Sequence, residues 1–268
     1  MMPKKNAYLL SIVLAIVAAT VTSSRSVLSS SSSSSPSVAE KAKANSKTIH
    51  EGRRLEDAMS ERRPRIHGGW NTVEDRYSYA QVSLHWGAEG HQCGGSLIAP
   101  DIILTAGHCE GSFDKIVIGK HRPTDIFDFS ETFESVLEII HPGYDECTTR
   151  YDAMLLKLNG ISTHATPVRI NMDEATPSNG SKLTVIGFGY NADWDLPDTL
   201  QETSVQYMMN SQCDDLVDDD GKTLDGDLFP DMMCAGSEGR DSCYGDSGSP
   251  LILIGDTEQE DIQLGIVR

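Results

Sequence analysis

A series of short apolar runs, each bounded by turn-forming residues, limits this chain to a fold built mainly from strands. From Gln81 to Trp86, polar and apolar side chains alternate, which is the pattern of a strand with one buried face. Further runs of strand character lie at Ile116–Ile118, Leu183–Ile186, Leu251–Ile254 and Ile262–Ile266. No segment has the apolar period of a helix longer than a few turns. With 23 glycines among 268 residues, these runs predict an all-β protein of one large or two small domains.

Residues 1–24 have the outline of a secretory signal peptide. Lys4 and Lys5 precede an apolar run, Ala7–Ala19, and small residues follow it. A membrane anchor is the competing interpretation, but the run is shorter than the roughly 20 residues that a spanning helix needs. We therefore expect cleavage, a secreted and extracellular protein, and no stable membrane insertion. The six cysteines would then lie in an oxidising compartment, where pairing is expected.

Residues 25–65 differ from the remainder in composition and in charge. The serine run Ser29–Ser35 is low-complexity sequence, which is typical of disordered or O-glycosylated segments. Basic sites at Arg53-Arg54 and Arg62–Arg65 are accessible to processing proteases. The net charge is +6 through Arg65 and -24 beyond it, and this acidic remainder argues against nucleic acid as a partner. A solvated linker is the alternative to a Ser-rich, basic propeptide, which the following motifs favour.

The stretch Asp241–Pro250 has the composition of a turn that carries a nucleophilic serine. Gly245 has no Cβ, so its N–H and that of Ser247 can converge on one point where an oxyanion would develop. A polar, Gly-rich turn before an apolar strand is the alternative. The α/β-hydrolase nucleophile elbow is excluded, because Ser249 stands where G-x-S-x-G needs its second glycine.

Three further motifs precede this serine. They are Ile66-His67-Gly68-Gly69-Trp70, then His91–Ile98 with Leu104-Thr105-Ala106-Gly107-His108-Cys109, and finally Tyr151-Asp152-Ala153 with the apolar run to Leu158. From Ile66 to its last residue the chain resembles the trypsin-like serine proteases of the chymotrypsin family (S1 type). The order His108, Asp152, Ser247 is that of the chymotrypsin-type triad. One departure is Gly107, where most members carry alanine.

The resemblance implies a fold and a role for each motif. The fold is two antiparallel six-stranded β-barrels with the active site in the cleft between them, spanning about residues 66–167 and 168–268 of the protease domain 66–268. Asp152 would orient His108, which would take the proton of Ser247 and return it to the leaving amine. The N–H groups of Gly245 and Ser247 would form the oxyanion hole.

Specificity and activation follow from the same resemblance. Asp241 would form the floor of the S1 pocket and pair with a substrate Lys or Arg. The alternative, a surface acid of an acidic protein, is less favoured because the run Asp241–Pro250 otherwise matches the family closely. A cut after Arg65 would free the α-amino group of Ile66 to pair with Asp246. The expected partners are protein or peptide substrates with Arg or Lys at the cleaved position, together with protein protease inhibitors.

The cysteines are expected to form two bridges and to leave two thiols. The resemblance implies Cys93 with Cys109 and Cys213 with Cys234, which leaves Cys147 and Cys243. In the family, further elements follow the position that Arg268 occupies here. They are the usual partner of Cys243, the wall of the S1 pocket, a closing strand and a C-terminal helix. We therefore expect a second barrel with an open edge and an exposed thiol. A truncated gene model, an alternative transcript and a degenerate protein would look identical at this level.

No metal or cofactor is expected, and one glycosylation site is. Eight aspartates lie between Cys213 and Cys234, but their spacing fits no EF-hand loop and indicates a solvated acidic face. Lys120 stands where the family's calcium loop would need a carboxylate. Asn179-Gly180-Ser181 is a sequon in a turn-like stretch.

Two other functions compete with a secreted endopeptidase made as a zymogen. One is a pseudoprotease that uses the fold to bind a protein, and the other is a fragment that does not fold stably. The complete set of triad residues favours the endopeptidase, because pseudoproteases usually lack one of them.

Overall fold

The computed structural model describes residues 68–73, 76–87, 90–119, 121–122, 130–191, 195–216 and 228–268, and the backbone alone of residues 10–13. Arg65, Ile66, Lys120 and the propeptide lie outside the described residues. In chain order the strands are β1 (Leu10–Val13), β2 (Trp70–Asn71), β3 (Val82–Trp86), β4 (Gly90–Ala99), β5 (Ile102–Thr105), β6 (Lys115–Ile118), β7 (Glu131–Phe133), β8 (Ser135–Ile140), β9 (Met154–Leu158), β10 (Arg169–Ile170), β11 (Lys182–Gly187), β12 (Gln201–Met208), β13 (Met232–Gly236), β14 (Pro250–Leu253) and β15 (Ile262–Val267).

The first barrel closes because the two outermost strands of its sheet are consecutive in the chain. The strand order is β7-β6-β3-β4-β5-β9-β8, and every pairing is antiparallel. Only Glu134 separates β7 from β8, so the two ends of the sheet are halves of one bent segment. The sheet therefore forms a six-stranded barrel.

The second barrel is a ring of six antiparallel strands in the order β13-β12-β11-β14-β15-β1. A short parallel pairing joins β10 to β15, and β2 pairs with β12. The described helices are one turn of α-helix, α1 (Asn210–Cys213), and three 3-10 turns. The expectation of a nearly all-β, double-barrel fold is confirmed. No helix among the described residues is long and apolar enough to span a membrane.

The strand β1 occupies the position where the sequence predicted an open edge. Its backbone pairs with β13 from Leu10↔Ala235 to Val13↔Met232 and with β15 at Ile12↔Val267. An unpaired strand edge in an apolar barrel leaves N–H and C=O groups unsatisfied, and a short apolar strand satisfies them. The structure therefore places part of the predicted signal peptide in the second barrel.

Two buried clusters fill the barrels. The larger one combines first-barrel residues such as Leu84, Leu97 and Met154 with Ile186 and Ile252 from the second barrel. The smaller one lies inside the second barrel, around Leu183, Val185, Val205, Leu251 and Leu264. Because the larger cluster draws on both barrels, apolar packing holds their facing surfaces together.

A buried carboxylate links the start of the first barrel to the second. Asp261 accepts both guanidinium N–H groups of Arg76 (2.5 and 2.8 Å), the hydroxyl of Tyr79 (2.7 Å) and the N–H of Gly255 (2.8 Å). A fully buried carboxylate is tolerated only when it is paired and hydrogen-bonded in this way. Loss of either Arg76 or Asp261 would leave the other charge uncompensated between the barrels.

Candidate active site

The candidate base, His108, lies in a 3-10 turn that directly follows β5. Its side chain is one-third exposed, so one edge of the ring can meet a substrate. The neighbouring Cys109 is bonded to Cys93 of β4. This bridge ties the turn to the barrel wall and fixes the backbone from which His108 projects.

Asp152 holds His108 through two hydrogen bonds. Its Oδ1 accepts the backbone N–H of His108 (2.8 Å), and its Oδ2 lies 2.7 Å from Nδ1 of the ring. A carboxylate only accepts, so Nδ1 carries a proton and Nε2 is the ring nitrogen that remains as a possible acceptor. Asp152 is itself buried just before β9. This is the tautomer that a general base needs.

The glycine before the histidine lies against the same carboxylate. A Cβ at Gly107 would be 3.1 Å from Oδ1 of Asp152 and 3.3 Å from the backbone N of Ala153. An alanine here would therefore need its neighbours to move by a few tenths of an ångström. The departure from alanine removes no polar group from the site.

The serine turn packs against the two strands that lead to the histidine. The carbonyl of Ser247 accepts the N–H of Gly94 in β4 (2.8 Å). Gly248 has φ +82°, and a Cβ there would be 2.2 Å from Oγ1 of Thr105 and 2.5 Å from the carbonyl oxygen of Gly94. Only glycine fits that contact. This contact between Gly248 and Thr105 brings Ser247 next to the end of β5. Thr105 itself lies three residues before His108 in the chain.

A buried histidine that the sequence analysis did not assign to the site fixes the next part of the turn. Nε2 of His91 donates to the carbonyl of Gly245 (2.8 Å), so Nδ1 is the acceptor for the hydroxyl of Ser83 (2.5 Å). Burial lowers the pKa of His91 to about 4, which keeps the ring neutral. His91 therefore orients the peptide that follows the candidate oxyanion-hole glycine. Its place in the motif His91–Ile98, two residues before Cys93, is the sequence signal that could have indicated this role.

Asp246 is fully buried beside the candidate nucleophile. Its Oδ1 accepts the N–H of Gly189 and its Oδ2 that of Cys243, both at 2.8 Å. Burial raises the pKa of Asp246 to about 7, against the effect of these two donors and with a smaller contribution from the charge of Asp241. Within the described part of the chain, no cation forms an ion pair with this carboxylate.

The segment that follows the predicted cleavage site lies near the same region. Gly68 has φ +69°, and a Cβ there would be 2.3 Å from the carbonyl oxygen of Gly239. Trp70 donates its indole N–H to Glu202 (2.5 Å), while Arg240 stacks over its ring. The chain just after Ile66 is therefore fixed beside residues 239–240, which directly precede the stretch that carries Asp246.

The remaining predicted site residues are placed as follows. Asp241 is half-buried and accepts the N–H of Ser242 (2.8 Å). Asn179 is exposed in a turn before β11, as a glycosylation site requires. The sulfurs of Cys93 and Cys109 lie near a ring nitrogen of His108, but they are bonded to each other and so are not thiolate ligands for a metal.

Both predicted disulfides, Cys93–Cys109 and Cys213–Cys234, are present. Cys147 is exposed and Cys243 is partly buried, and neither is bonded to another cysteine. Burial raises the pKa of the Cys243 thiol, so less of it is thiolate near neutral pH.

These environments predict two thiols with different reactivity. A disulfide reagent such as DTNB should modify Cys147 quickly and Cys243 several-fold more slowly in the native protein at pH 8. The release of thionitrobenzoate over time measures both phases. Cys147→Ser should remove the fast phase, and Cys243→Ser the slow one. A single fast phase of two thiols would contradict the partial burial of Cys243.

The class of protein follows from three features: two closed antiparallel barrels, a histidine–aspartate pair, and a serine turn packed against the strands that lead to the histidine. Together they define a serine-type endopeptidase.

The comparisons with known proteins give the family. Residues 68–267 match the family model described as Trypsin. The chain is 34% identical over 197 residues to Serine protease 1 of Homo sapiens, covering 71% of this chain and 75% of the relative. It is 32% identical to Cationic trypsin-3 of Rattus norvegicus (71% and 75%) and 30% identical to Anionic trypsin of Canis lupus familiaris (72% and 76%). The chain belongs to the trypsin family.

Proposed function

We propose that this serine endopeptidase is secreted as a zymogen and hydrolyses peptide bonds after Arg or Lys with Ser247, His108 and Asp152. The observation that carries the proposal is the pair of hydrogen bonds that His108 donates to Asp152. These hydrogen bonds place a proton on Nδ1, so Nε2 is the ring nitrogen that can accept the proton of a serine. A histidine held in one tautomer by a buried carboxylate is the arrangement that activates a serine hydroxyl.

The reaction passes through an acyl-enzyme. The hydroxyl oxygen of Ser247 attacks the carbonyl carbon of the scissile peptide while Nε2 of His108 accepts its proton. The resulting oxyanion receives hydrogen bonds from the N–H groups of Gly245 and Ser247. His108 then protonates the leaving amine, and a water molecule completes the reverse sequence on the ester. Asp152 stays ionised throughout and stabilises the positive charge that His108 carries in between.

Substrate preference is assigned to Asp241. This carboxylate lies six residues before Ser247, is half-buried, and accepts the backbone N–H of Ser242. A partly desolvated carboxylate attracts a cationic side chain more strongly than a fully hydrated one. The acidic protease domain also raises the local concentration of basic peptides.

The test of this function is a substrate profile of the chain after cleavage at Arg65. A library of peptide amides that varies the residue before the cleaved bond should be cut after Arg and Lys and at no comparable rate after other residues. A fluorophosphonate probe should label one residue, which peptide mapping should identify as Ser247. Labelling elsewhere, or absence of hydrolysis by correctly cleaved protein, would contradict the proposal.

Asp241→Ser should change the preference without removing the catalytic groups. Without the carboxylate, the basic side chain loses its charged partner, and kcat/KM for Arg peptides should fall by on the order of a hundredfold or more. Rates for uncharged residues should stay within a few-fold. Asp256→Ser, which removes a carboxylate from the loop between β14 and β15, serves as the matched control for net charge. An unchanged Arg preference in Asp241→Ser would show that another acid reads the substrate.

A further inference from the structure

The segment that delivers Asp152 to the histidine is a loop, residues 141–151, between β8 and β9. Its last residues have strained backbone, because Thr149 (φ +54°) and Tyr151 (φ +52°) are non-glycine residues in the left-handed region. The N–H of Ala153 donates to the carbonyl of Tyr151 (2.7 Å), which makes a tight turn centred on Asp152. A strained turn persists only where surrounding contacts hold it.

The main external contact comes from the second barrel. Asp231, one residue before β13, accepts the backbone N–H of Tyr151 (2.8 Å) and Nε of Arg150 (2.9 Å). Its side chain is 6% exposed, whereas that of Arg150 is 34% exposed. One nearly buried carboxylate therefore binds the two residues immediately before Asp152.

Aromatic contacts complete this junction. The guanidinium of Arg150 lies 4.8 Å from the ring centre of Phe229, on the second barrel, and 5.0 Å from that of Tyr151. On its other side, Tyr151 stacks on His141 with ring centres 4.8 Å apart. The Arg150 side chain is thus held on two sides, so Asp231 meets a guanidinium whose freedom is already restricted.

We propose that Asp231 is a positioning residue for catalysis, acting across the two barrels. By holding the N–H of Tyr151 and the side chain of Arg150, it fixes the strained turn from which Asp152 reaches His108. The inference rests on the roles proposed above for Asp152 and His108. Because catalysis is sensitive to displacements of about 1 Å, a small relaxation of the turn lowers the rate without changing the substrate pocket.

The experiment compares Asp231→Ala with Asp231→Asn in the full chain cleaved at Arg65. In Asp231→Ala, kcat for an Arg peptide amide should fall by about ten- to a hundredfold while KM stays within about twofold. Asp231→Asn keeps an oxygen acceptor for Tyr151 and should recover most of the lost kcat. The low-field proton NMR signal of the His108 Nδ1–H should broaden or shift in the alanine variant alone.

An ion pair elsewhere serves as a control for the loss of a paired carboxylate. Asp101, which is more exposed than Asp231, pairs with Lys157 at the end of β5 remote from His108, so Asp101→Asn removes an ion pair without touching the turn. This control should leave kcat unchanged. Unchanged kcat in Asp231→Ala, or equal losses in Asp231→Ala and Asp101→Asn, would overturn the proposal.

A readout that needs no activity keeps the inference separate from the proposed function. In the uncleaved chain, amide exchange of Tyr151 should be at least tenfold faster in Asp231→Ala than in the native protein, and near native in Asp231→Asn. If the native chain is inactive, the proposed function fails while this measurement still reports on the contact. Native-like exchange of the Tyr151 amide in Asp231→Ala would contradict the contact itself. This outcome does not depend on whether the variant is active.

Discussion

Ser247→Ala should lower kcat/KM for an Arg peptide amide by on the order of a thousandfold or more, and His108→Ala should do the same. The alanine at 247 has no oxygen to attack the peptide, and the alanine at 108 leaves the serine hydroxyl without a base. The two losses should not add in the double variant, because the side chains act as one unit. Initial rates with a chromogenic peptide amide, over a range of enzyme concentrations, measure the effect.

Folding and substrate binding must be retained in these variants for the result to count. Thermal unfolding of Ser247→Ala should stay within a few degrees of the native value, because this side chain is not part of the buried core. His108→Ala removes a hydrogen-bond partner of the buried Asp152, so its unfolding temperature is measured separately. His91→Ala is not a suitable control, since it would remove a buried hydrogen-bond network. Ser112→Ala, which removes a hydroxyl from the loop after the histidine turn, is suitable. A Ser247→Ala protein that kept its rate would show that another residue is the nucleophile.

Arg65→Gln should leave the chain almost inactive despite its complete triad residues. Without the cut there is no α-ammonium at Ile66 to pair with Asp246, and the carboxylate remains buried beside Ser247. About 1.4 kcal/mol corresponds to a tenfold change in population, so a buried pair worth several kcal/mol is enough to form or lose the oxyanion hole. Asp246→Asn in cleaved protein should be similarly inactive. Substantial activity of uncleaved Arg65→Gln protein would refute this mechanism.

Asp246→Asn should have opposite effects on the pH dependence of stability before and after the cut. In the uncleaved chain the pKa of Asp246 is raised from 3.8 to about 7. Because the folded state binds this proton more tightly than the unfolded state, the raised pKa stabilises the fold below about pH 4. The free energy of unfolding then falls by up to about 4 kcal/mol as the pH rises through about 7. Asparagine has no such titration, although its Nδ2 cannot replace the oxygen that accepts one of the two backbone N–H groups. The stability of the variant relative to the native chain should therefore rise between pH 4 and pH 8.

After cleavage the ammonium compensates the carboxylate, and Asp246→Asn should then destabilise the protein at pH 8. Urea unfolding of the four proteins, cleaved and uncleaved, at pH 4 and pH 8 measures both signs. Asp256→Asn, which changes an exposed carboxylate, is the control for net charge and should shift neither curve by more than a few tenths of a kcal/mol.

Alternation located the strand from Val82 to Trp86 and correctly predicted that Val82 and Leu84 are buried, but it did not predict that the opposite face is buried as well. The run from Gln81 predicted Ser83 as polar and outward and Trp86 as inward. Ser83 is buried at 5% exposure because its hydroxyl meets His91, whereas Trp86 at the strand end is 45% exposed. In a double barrel the outer face of one wall packs against the other barrel. A period of two cannot distinguish that face from one that meets solvent.

The proposed triad residues came from motifs and the two disulfide pairings from the family resemblance, while the contacts of His91 and Asp231 came from neither. His91 lay inside a quoted motif, yet its bond to the Gly245 carbonyl joins positions 154 residues apart. Asp231 lay among eight aspartates between two cysteines and was interpreted as part of a solvated face. Its bond to Tyr151 depends on how the second barrel meets the first, which no local pattern reports. The pairing of Leu10–Val13 with strands of the second barrel is likewise a long-range contact that no local pattern predicts.

The Cys93–Cys109 bridge gives the histidine turn a dependence on its surroundings. The bridge joins β4 to the residue after His108, and closing a loop of 16 residues removes about 3 kcal/mol of conformational freedom from the unfolded chain. Where glutathione keeps thiols reduced, the turn would lose this covalent tie between β4 and the residue after His108. A chain folded under such conditions would therefore contain the same side chains, but the backbone that carries His108 would be held by hydrogen bonds and packing alone.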